Sequence, residues 1–411
     1  MHTSAEKTSF TSYQKWVIAI LALLQFTVVL DFMILSPLGD ILMKQLQMTT
    51  SQFGTVVSAY AISAGISGFL AAGIADRFDR KRLLLFFYIG FIIGTISCGL
   101  AYNYQSLFAA RMLTGVFGGV ISSISMAIIT DLFSLQQRGR VMGTVQTAFA
   151  GSQILGIPLG LYIADKLSWS ATFYMVALLG IAVGLLLVAK LKPINAHLVI
   201  ASTKSPLLHL WHTIRKRDYR IGFLATSMLS LGGFLLMPFT SAFLVNNVSI
   251  AQSQLPMLFF ATGVASIIIM PIVGRIADKH DKFRLFTIGS VIAAIMVVIY
   301  CNLSTSPLWL VIGINVVLFM GIMSRMVPAM ALNSAMPDLH DRGAYMSINS
   351  SLQQLSGGIA ALSAGLIVHQ AHDSAPLQHF DTLGYVMVAI MAITLVLVYR
   401  VDRIIKSQHH S

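Results

Sequence analysis

The chain has 411 residues, of which 56% are hydrophobic and only 10% charged, with a mean hydropathy of +0.79. A water-soluble domain carries roughly 25% charged residues, so this composition cannot cover an aqueous surface and excludes a soluble globular protein. The net charge is +12, which would suit a nucleic-acid partner unless the positions of the basic residues say otherwise.

A bilayer core of ~30 Å takes about 20 apolar residues per helix. Twelve such runs follow one another, at 16–39, 52–75, 82–102, 105–130, 140–164, 169–190, 220–245, 253–276, 283–303, 307–330, 343–368 and 381–400. The first is too long for the core of a signal peptide, and no small-residue cleavage site follows it; it is expected to remain as the first spanning helix. It carries Asp31, the one acidic residue deep within a predicted span. An aspartate at the centre of a spanning helix costs about 2.5–3.5 kcal/mol to insert, so Asp31 is expected to face a cavity or a basic partner. It reads as a proton-binding carboxylate, with a structural ion pair as the alternative.

The second run ends in Gly73-Ile74-Ala75-Asp76-Arg77-Phe78-Asp79-Arg80-Lys81-Arg82. The fourth contains Arg111 and is followed by Asp131 and Arg138. Gly151, Gly156, Pro158 and Gly160 form a small-residue stripe on the fifth, which suits either close helix packing or a contact between moving parts. The longest polar stretch, 191–219, is read as a cytoplasmic linker between residues 1–190 and 220–411. Within it, 207–217 alternates apolar and basic residues and predicts a short amphipathic helix on an anionic leaflet.

The second half repeats the first. Ile276-Ala277-Asp278-Lys279-His280-Asp281-Lys282-Phe283-Arg284 echoes residues 74–82 at an offset of 278 − 76 = 202 positions. Arg138-Gly139 with Met142 is echoed by Arg342-Gly343 with Met346, shortly after Asp338. Cys98 and Cys301 also correspond, and two such residues make neither a disulfide framework nor a metal set. Arg325 in the tenth run can contact an anionic group or the carbonyls loosened by Pro328. Parallel six-helix repeats of this kind suit a transporter whose halves rock about a midplane site.

Of the 27 Lys and Arg residues, all but Lys44, Lys166, Arg111 and Arg325 lie at the termini or in the even-numbered connections. By the positive-inside rule this places both termini and the basic loops in the cytoplasm of an inner (plasma) membrane. The basicity is then a topology signal and nucleic acid drops out as a partner. No phosphate loop, dinucleotide fingerprint or HExxH helix occurs. The chain is read as a non-enzyme with no cofactor and no metal. His369, His372, Asp373 and His379 cluster in the last outer loop, where chance is the simpler explanation.

Residues 73–81 resemble the loop signature G-x-L-A-D-R-x-G-R-K/R of the major facilitator superfamily, with Asp79 in place of the glycine. Arg111-Met112-Leu113-Thr114-Gly115-Val116-Phe117-Gly118 resembles the helix-4 motif of its proton-coupled members, and Gly156-Ile157-Pro158-Leu159-Gly160 a degenerate antiporter motif. Asp31 ahead of Pro37-Leu38 is similar to the twelve-helix drug:proton antiporters and the sugar-efflux group. The resemblance implies an all-α membrane fold of twelve helices in two pseudo-symmetric halves, and a monomer. It implies secondary transport of a small drug-like or sugar-like solute, with protons as the coupling ion. It brings helices 1 and 4 together, so that Arg111 would tune Asp31, with Arg325 as the counterpart in the second half. It also implies a cytoplasmic gate, with Asp76 at the start of helix 11 and Asp278 at the start of helix 5. Gly73, Arg77, Arg80, Lys81, Asp131, Arg138, Lys279, Lys282, Asp338 and Arg342 complete that gate. A facilitator or importer without proton coupling would share every feature except the use of Asp31.

Overall fold

A computed structural model describes residues 10–71, 78–195, 206–338 and 340–410. Among them, eleven helices are long and apolar enough to cross a membrane. In chain order with their connections these are α1 (Ser12–Ile34), α2 (Thr50–Ala71), α3 (Arg80–Gly99), α4 (Tyr104–Leu132), α5 (Gln136–Lys166) and α6 (Trp169–Lys190). The second half supplies α7 (Arg217–Asn246), α8 (Gln252–Lys279), α9 (Lys282–Cys301) and α10 (Leu308–Ala335). There follow α11 (Arg342–Ile367), which is long enough at 26 residues but more polar, and α12 (Phe380–His410). The polarity of α11 has a local cause: Ser347, Ser350, Ser351 and Gln354 face a cavity between the halves rather than lipid.

Helix starts follow from capping side chains. Thr11 accepts from the Gln14 amide at α1, Asn103 from Ser106 at α4, and Ser168 from Ala171 at α6. The two aspartates that interrupt the repeated loop signature do the same work. Asp79 Oδ1 accepts from the Arg82 amide and Asp281 Oδ1 from the Arg284 amide, each at 2.9 Å. Their second oxygens reach the end of their own half, Asp79 to the Ile194 amide at 2.7 Å and Asp281 to Lys406 Nζ at 2.9 Å. Asp79→Ala is therefore expected to lower stability by about 0.5–2 kcal/mol, the usual worth of an N-cap. Hydrogen exchange should also quicken in residues 191–195. Unchanged exchange there would mean that the Ile194 contact holds nothing.

Helix α5 is not one regular helix. Ser152–Gly156 forms a π turn in which the Ile157 amide donates to the Ser152 carbonyl, five residues back. Pro158 follows at once; having no N–H, it could not continue the ordinary ladder, and the widened turn absorbs the break.

Close backbone approach fixes two crossings. A Cβ on Gly115 would stand 2.4 Å from the Tyr60 carbonyl, and one on Gly119 2.4 Å from that of Ala64, which seats α4 on α2 within the first half. A Cβ on Gly54 would stand 2.7 Å from the Ala361 carbonyl and 2.9 Å from Gly365 Cα, which seats α2 on α11 across the halves.

The apolar core is divided unevenly. One cluster joins both halves on the face away from the basic loops and includes Leu38, Leu42, Phe53, Phe239, Phe243 and Phe380. On the basic face each half has its own cluster, around Tyr88 and Ile124 in the first and around Phe286 and Tyr345 in the second. Phe69 of α2 reaches across to the latter. The molecule is thus sealed on the face away from the basic loops and divided on its basic face.

In the linker, Pro206–Arg215 is a helix. Its Leu210 is buried in the second half's own cluster with Tyr219, Met336 and Tyr345, while Trp211 is exposed. The amphipathic face is therefore spent on protein as well as available to a membrane surface.

Candidate solute cavity and buried ion pair

Between the halves lies a cavity of about 100 Å³ walled by α1, α2, α4 and α11. Its polar wall consists of Gln25, Ser122, Ser123, Ser347, Ser350, Ser351 and Gln354, with Ser122 donating to Gln25 Oε1 at 3.1 Å. Among the described residues no ionisable side chain other than Tyr60 lines it. Phe32 lines the cavity and also a second, smaller and more apolar space with Phe234, Met237 and Pro238, on the side away from the basic loops. Its ring is 5.3 Å from that of Tyr60 and 5.9 Å from that of Phe234.

Behind the Tyr60 wall, α1, α3 and α4 enclose an ion pair. Arg111 Nη1 donates to Asp31 Oδ2 at 2.7 Å, and the two side chains are 1% and 0% exposed. Thr95 Oγ1 donates to Asp31 Oδ1 at 3.0 Å. The guanidinium lies 4.6 Å from the centre of the Tyr60 ring, a cation–π distance. Arg111 Nε is buried without a hydrogen-bond partner. A lone charge buried within a membrane protein is strongly unfavourable, so each member of the pair offsets the burial of the other. Tyr60 touches the cavity on one side and the pair on the other.

Gly73, Asp76 and Arg77 lie outside the described residues. The remaining gate residues are spread over the basic face. Arg80 Nε donates to Asp131 Oδ2 at 3.0 Å, and Lys81 Nζ to the Val188 carbonyl at 3.0 Å. Arg138 does not take Asp131; it donates to the carbonyls of Thr130 at 2.7 Å and Phe133 at 3.1 Å. Asp338 does not take Arg342. It receives Lys216 at 3.4 Å and the Tyr219 hydroxyl at 3.1 Å, while Arg342 is exposed at the start of α11. Asp278 and Lys279 are exposed at the end of α8, and Lys282 is half-buried at the start of α9. Among the described residues these contacts run within a half or to the linker, in keeping with the divided basic face. Lys216 also holds Asp341, and with His340 and Tyr219 it pulls that carboxyl down to about 2 against the opposing effect of burial.

Arg325 lines neither cavity. It is 3% exposed inside the second half, where Nε donates to Ser290 Oγ at 3.1 Å and the guanidinium sits 5.5 Å over Phe286. The glycine stripe of α5 turns toward α1 of its own half: a Cβ on Gly156 would meet Leu30 at 2.5 Å, and one on Gly160 Ile34 at 2.7 Å. Gly151 has ordinary clearance from Phe26, and Pro158 follows the π turn. The contact of α5 with the other half is made instead by Gln153 and Ile154 against Gly263 of α8.

Sequence reasoning missed the seal on the face away from the basic loops. Asp40, 4% exposed, accepts from Lys44 Nζ at 2.8 Å and from Asn246 Nδ2 at 2.6 Å, across the halves. Ser241 Oγ donates to the Ser36 carbonyl at 2.9 Å, and Thr50 Oγ1 to that of Val368 at 2.7 Å. The available signal was the i, i+4 spacing of Asp40 and Lys44, just past the end of an apolar run.

The profile of the Major Facilitator Superfamily matches residues 21–335 and 222–410. An uncharacterized MFS-type transporter of Bacillus subtilis, YbcL, is 26% identical over 385 residues, covering 93% of this chain and 95% of its own. A probable sugar efflux transporter of Helicobacter pylori strain J99 is 26% identical over 83% of this chain and 85% of its own. Among solved structures, a D-xylose-proton symporter superposes with a TM-score of 0.77 at 15% identity, over 94% of this chain and 98% of its own. A bacterial homolog of the human lysosomal transporter Spinster gives 0.76 at 15% identity, over 97% and 99%. With twelve long helices among the described residues and a profile match over nearly its whole length, the chain belongs to the major facilitator superfamily of membrane transporters.

Proposed function

We propose that the protein exports a small, neutral, sugar-like solute in exchange for protons. Residues 1–190 would rock against 220–411, as a monomer in the plasma membrane with both termini cytoplasmic. The observation that carries this reading is the cavity wall. Seven serine and glutamine side chains converge there, with no carboxylate or ammonium group among the described lining residues. Such a wall suits hydroxyl-rich, uncharged solutes and gives a cationic drug no counter-charge. The name of the Helicobacter pylori relative points the same way.

Tyr60 is the proposed link to the proton. Protonating Asp31 would neutralise one member of the buried pair and free the guanidinium to press on Tyr60, the cavity wall. A solute displacing Tyr60 would act in reverse. One proton entering for each neutral solute leaving supplies about 2.3 kcal/mol per 100 mV, enough for a gradient on the order of 50-fold. With the basic loops in the cytoplasm, the sealed outer face makes this the inward-facing state, ready to load.

The complete burial of Asp31 and Arg111 favours a second reading, in which the pair is structural and the protein a facilitator or importer without coupling. Inside-out vesicles carrying a pH gradient separate the two. A hexose or alditol should dissipate the gradient with the wild type and fail to do so, by at least tenfold in rate, with Asp31→Asn. If labelled solute equilibrates equally with both proteins and no protons move, the coupled reading is wrong. If only cationic dyes dissipate the gradient, the solute class is wrong.

A further inference from the structure

The linker helix Pro206–Arg215 meets the α10–α11 connection at a cluster that transport by itself does not require. His209 Nε2 lies 3.7 Å from Asp341 Oδ1, and His340 Nδ1 lies 3.3 Å from the same oxygen. The two imidazoles stand edge to face, with ring centres 5.0 Å apart. One donor atom from each of the three residues can be chosen so that all lie within 4.8 Å of one another. We infer that His209, His340 and Asp341 form a binding site for a divalent transition-metal ion of the zinc class, which fastens the linker to the start of α11.

Spacing is the first argument. With metal–ligand bonds of about 2.0–2.2 Å in a tetrahedral site, donor atoms stand roughly 3.3–3.6 Å apart. The two imidazole–carboxylate separations already match within a few tenths of an ångström. Donor type is the second. Two imidazoles and one carboxylate suit zinc, with copper and nickel as its competitors, far better than calcium or magnesium, which take oxygen donors. Three protein ligands leave a fourth position for water.

The surroundings of Asp341 are the third argument. The residue is 5% exposed, and its other oxygen, Oδ2, is held by Lys216 Nζ and, at 3.1 Å, by the Tyr219 hydroxyl. Those two contacts fix the carboxylate with Oδ1 turned toward both rings, which is how outer contacts orient a ligating carboxylate. Lys216 also removes part of the negative charge, so the site is expected to be weaker than one with a free carboxylate. His209 is half-buried and His340 exposed, so an ion can enter from water without opening the fold. The ligands are joined only through the fold, since His209 and His340 are 340 − 209 = 131 positions apart. An ion held here would cross-link the linker to the second half.

The test uses the full chain, purified in detergent with a tag that contains no histidine and stripped with a chelator. Zinc is then titrated against a chromophoric chelator, and hydrogen exchange of Pro206–Arg215 is followed with and without zinc. The wild type should bind one zinc ion at this site and slow exchange in that helix. His209→Ala and His340→Ala should each weaken that binding by at least tenfold and abolish the protection, while His340→Cys, which keeps a ligand, should retain both. Unaltered elution and melting of each variant show that the loss is local. The inference is overturned if the wild type binds no zinc. It is equally overturned if either alanine variant binds zinc as the wild type does, which would place the ion elsewhere, as in the outer loop of His369, His372 and His379. These outcomes do not depend on which solute is carried or on whether protons move.

Discussion

Arg111→Ala is expected to be among the most destabilising single substitutions in the first half, by about 3–5 kcal/mol, the usual consequence of removing one member of a buried pair. It would leave Asp31 with only the Thr95 hydroxyl, in a site where neither side chain of the pair reaches solvent. It would also strip the Tyr60 ring of its cation. The same physics predicts a rescue. Asp31→Asn with Arg111→Gln keeps a hydrogen bond and removes both charges, so the double variant should melt well above Arg111→Ala. Melting of the wild type, Asp31→Asn, Arg111→Gln and their double variant in one detergent completes the cycle. Losses in the two single variants that simply add up to the loss in the double variant would mean that the two charges are not coupled, and the role of the pair in holding α1 against α4 would have to be abandoned.

A second large effect is expected at Gly54. Valine there would drive its Cβ against the Ala361 carbonyl and Gly365 Cα, both backbone atoms that cannot rotate aside. Overpacking of this kind typically costs about 1–3 kcal/mol, but here relief is available without unfolding. The clash lies between the halves at the outer seal, so parting α2 from α11 removes it and leaves each half intact. Gly54→Val should therefore reduce transport by roughly two orders of magnitude, about 2.7 kcal/mol of bias at 1.36 kcal/mol per decade. It should also admit a water-soluble thiol reagent to a Ser241→Cys probe, whose position is fully buried in the sealed state. Gly143→Ala meets nothing within 4 Å and serves as the silent control. Wild-type transport together with an unreactive probe would show that this crossing does not limit the cycle.

Much of the architecture was legible because lipid imposes one rule on every segment: about 20 residues must satisfy their backbones internally. That rule located the spans, including α11, whose serines and Gln354 make it the most polar of them. What stayed hidden depends on rotation about each helix axis. Asp31 and Arg111 could be placed at similar depth, yet only the structure puts Tyr60 between them and the cavity. The same ignorance of rotation left Arg325 open, and it turns to Ser290 and Phe286 rather than into either cavity. The α5 stripe was legible as small but not as facing α1. Asp79 and Asp281 stood out as departures from a glycine, and their use as caps could not be read without knowing where α3 and α9 begin. The π turn left no mark in the pattern of apolar residues, because widening one turn by a residue barely shifts it.

The uneven division of the core bears on how the chain is made. The clusters on the basic face each draw mainly on one half and can form as soon as that half is synthesised. The outer cluster cannot: Phe53 waits for Phe239, and the whole for Phe380. At about 5–20 residues per second, the 380 − 53 = 327 residues between the first and last of these rings take roughly 15–65 s to translate. For that interval the first bundle is assembled at one end and unfinished at the other, with the side chains of its future seal facing lipid or a chaperone. Completion of the fold is thus expected to run from the basic face toward the shared cluster, and the interval before α12 arrives is expected to be when the nascent chain is most open to wrong helix pairing.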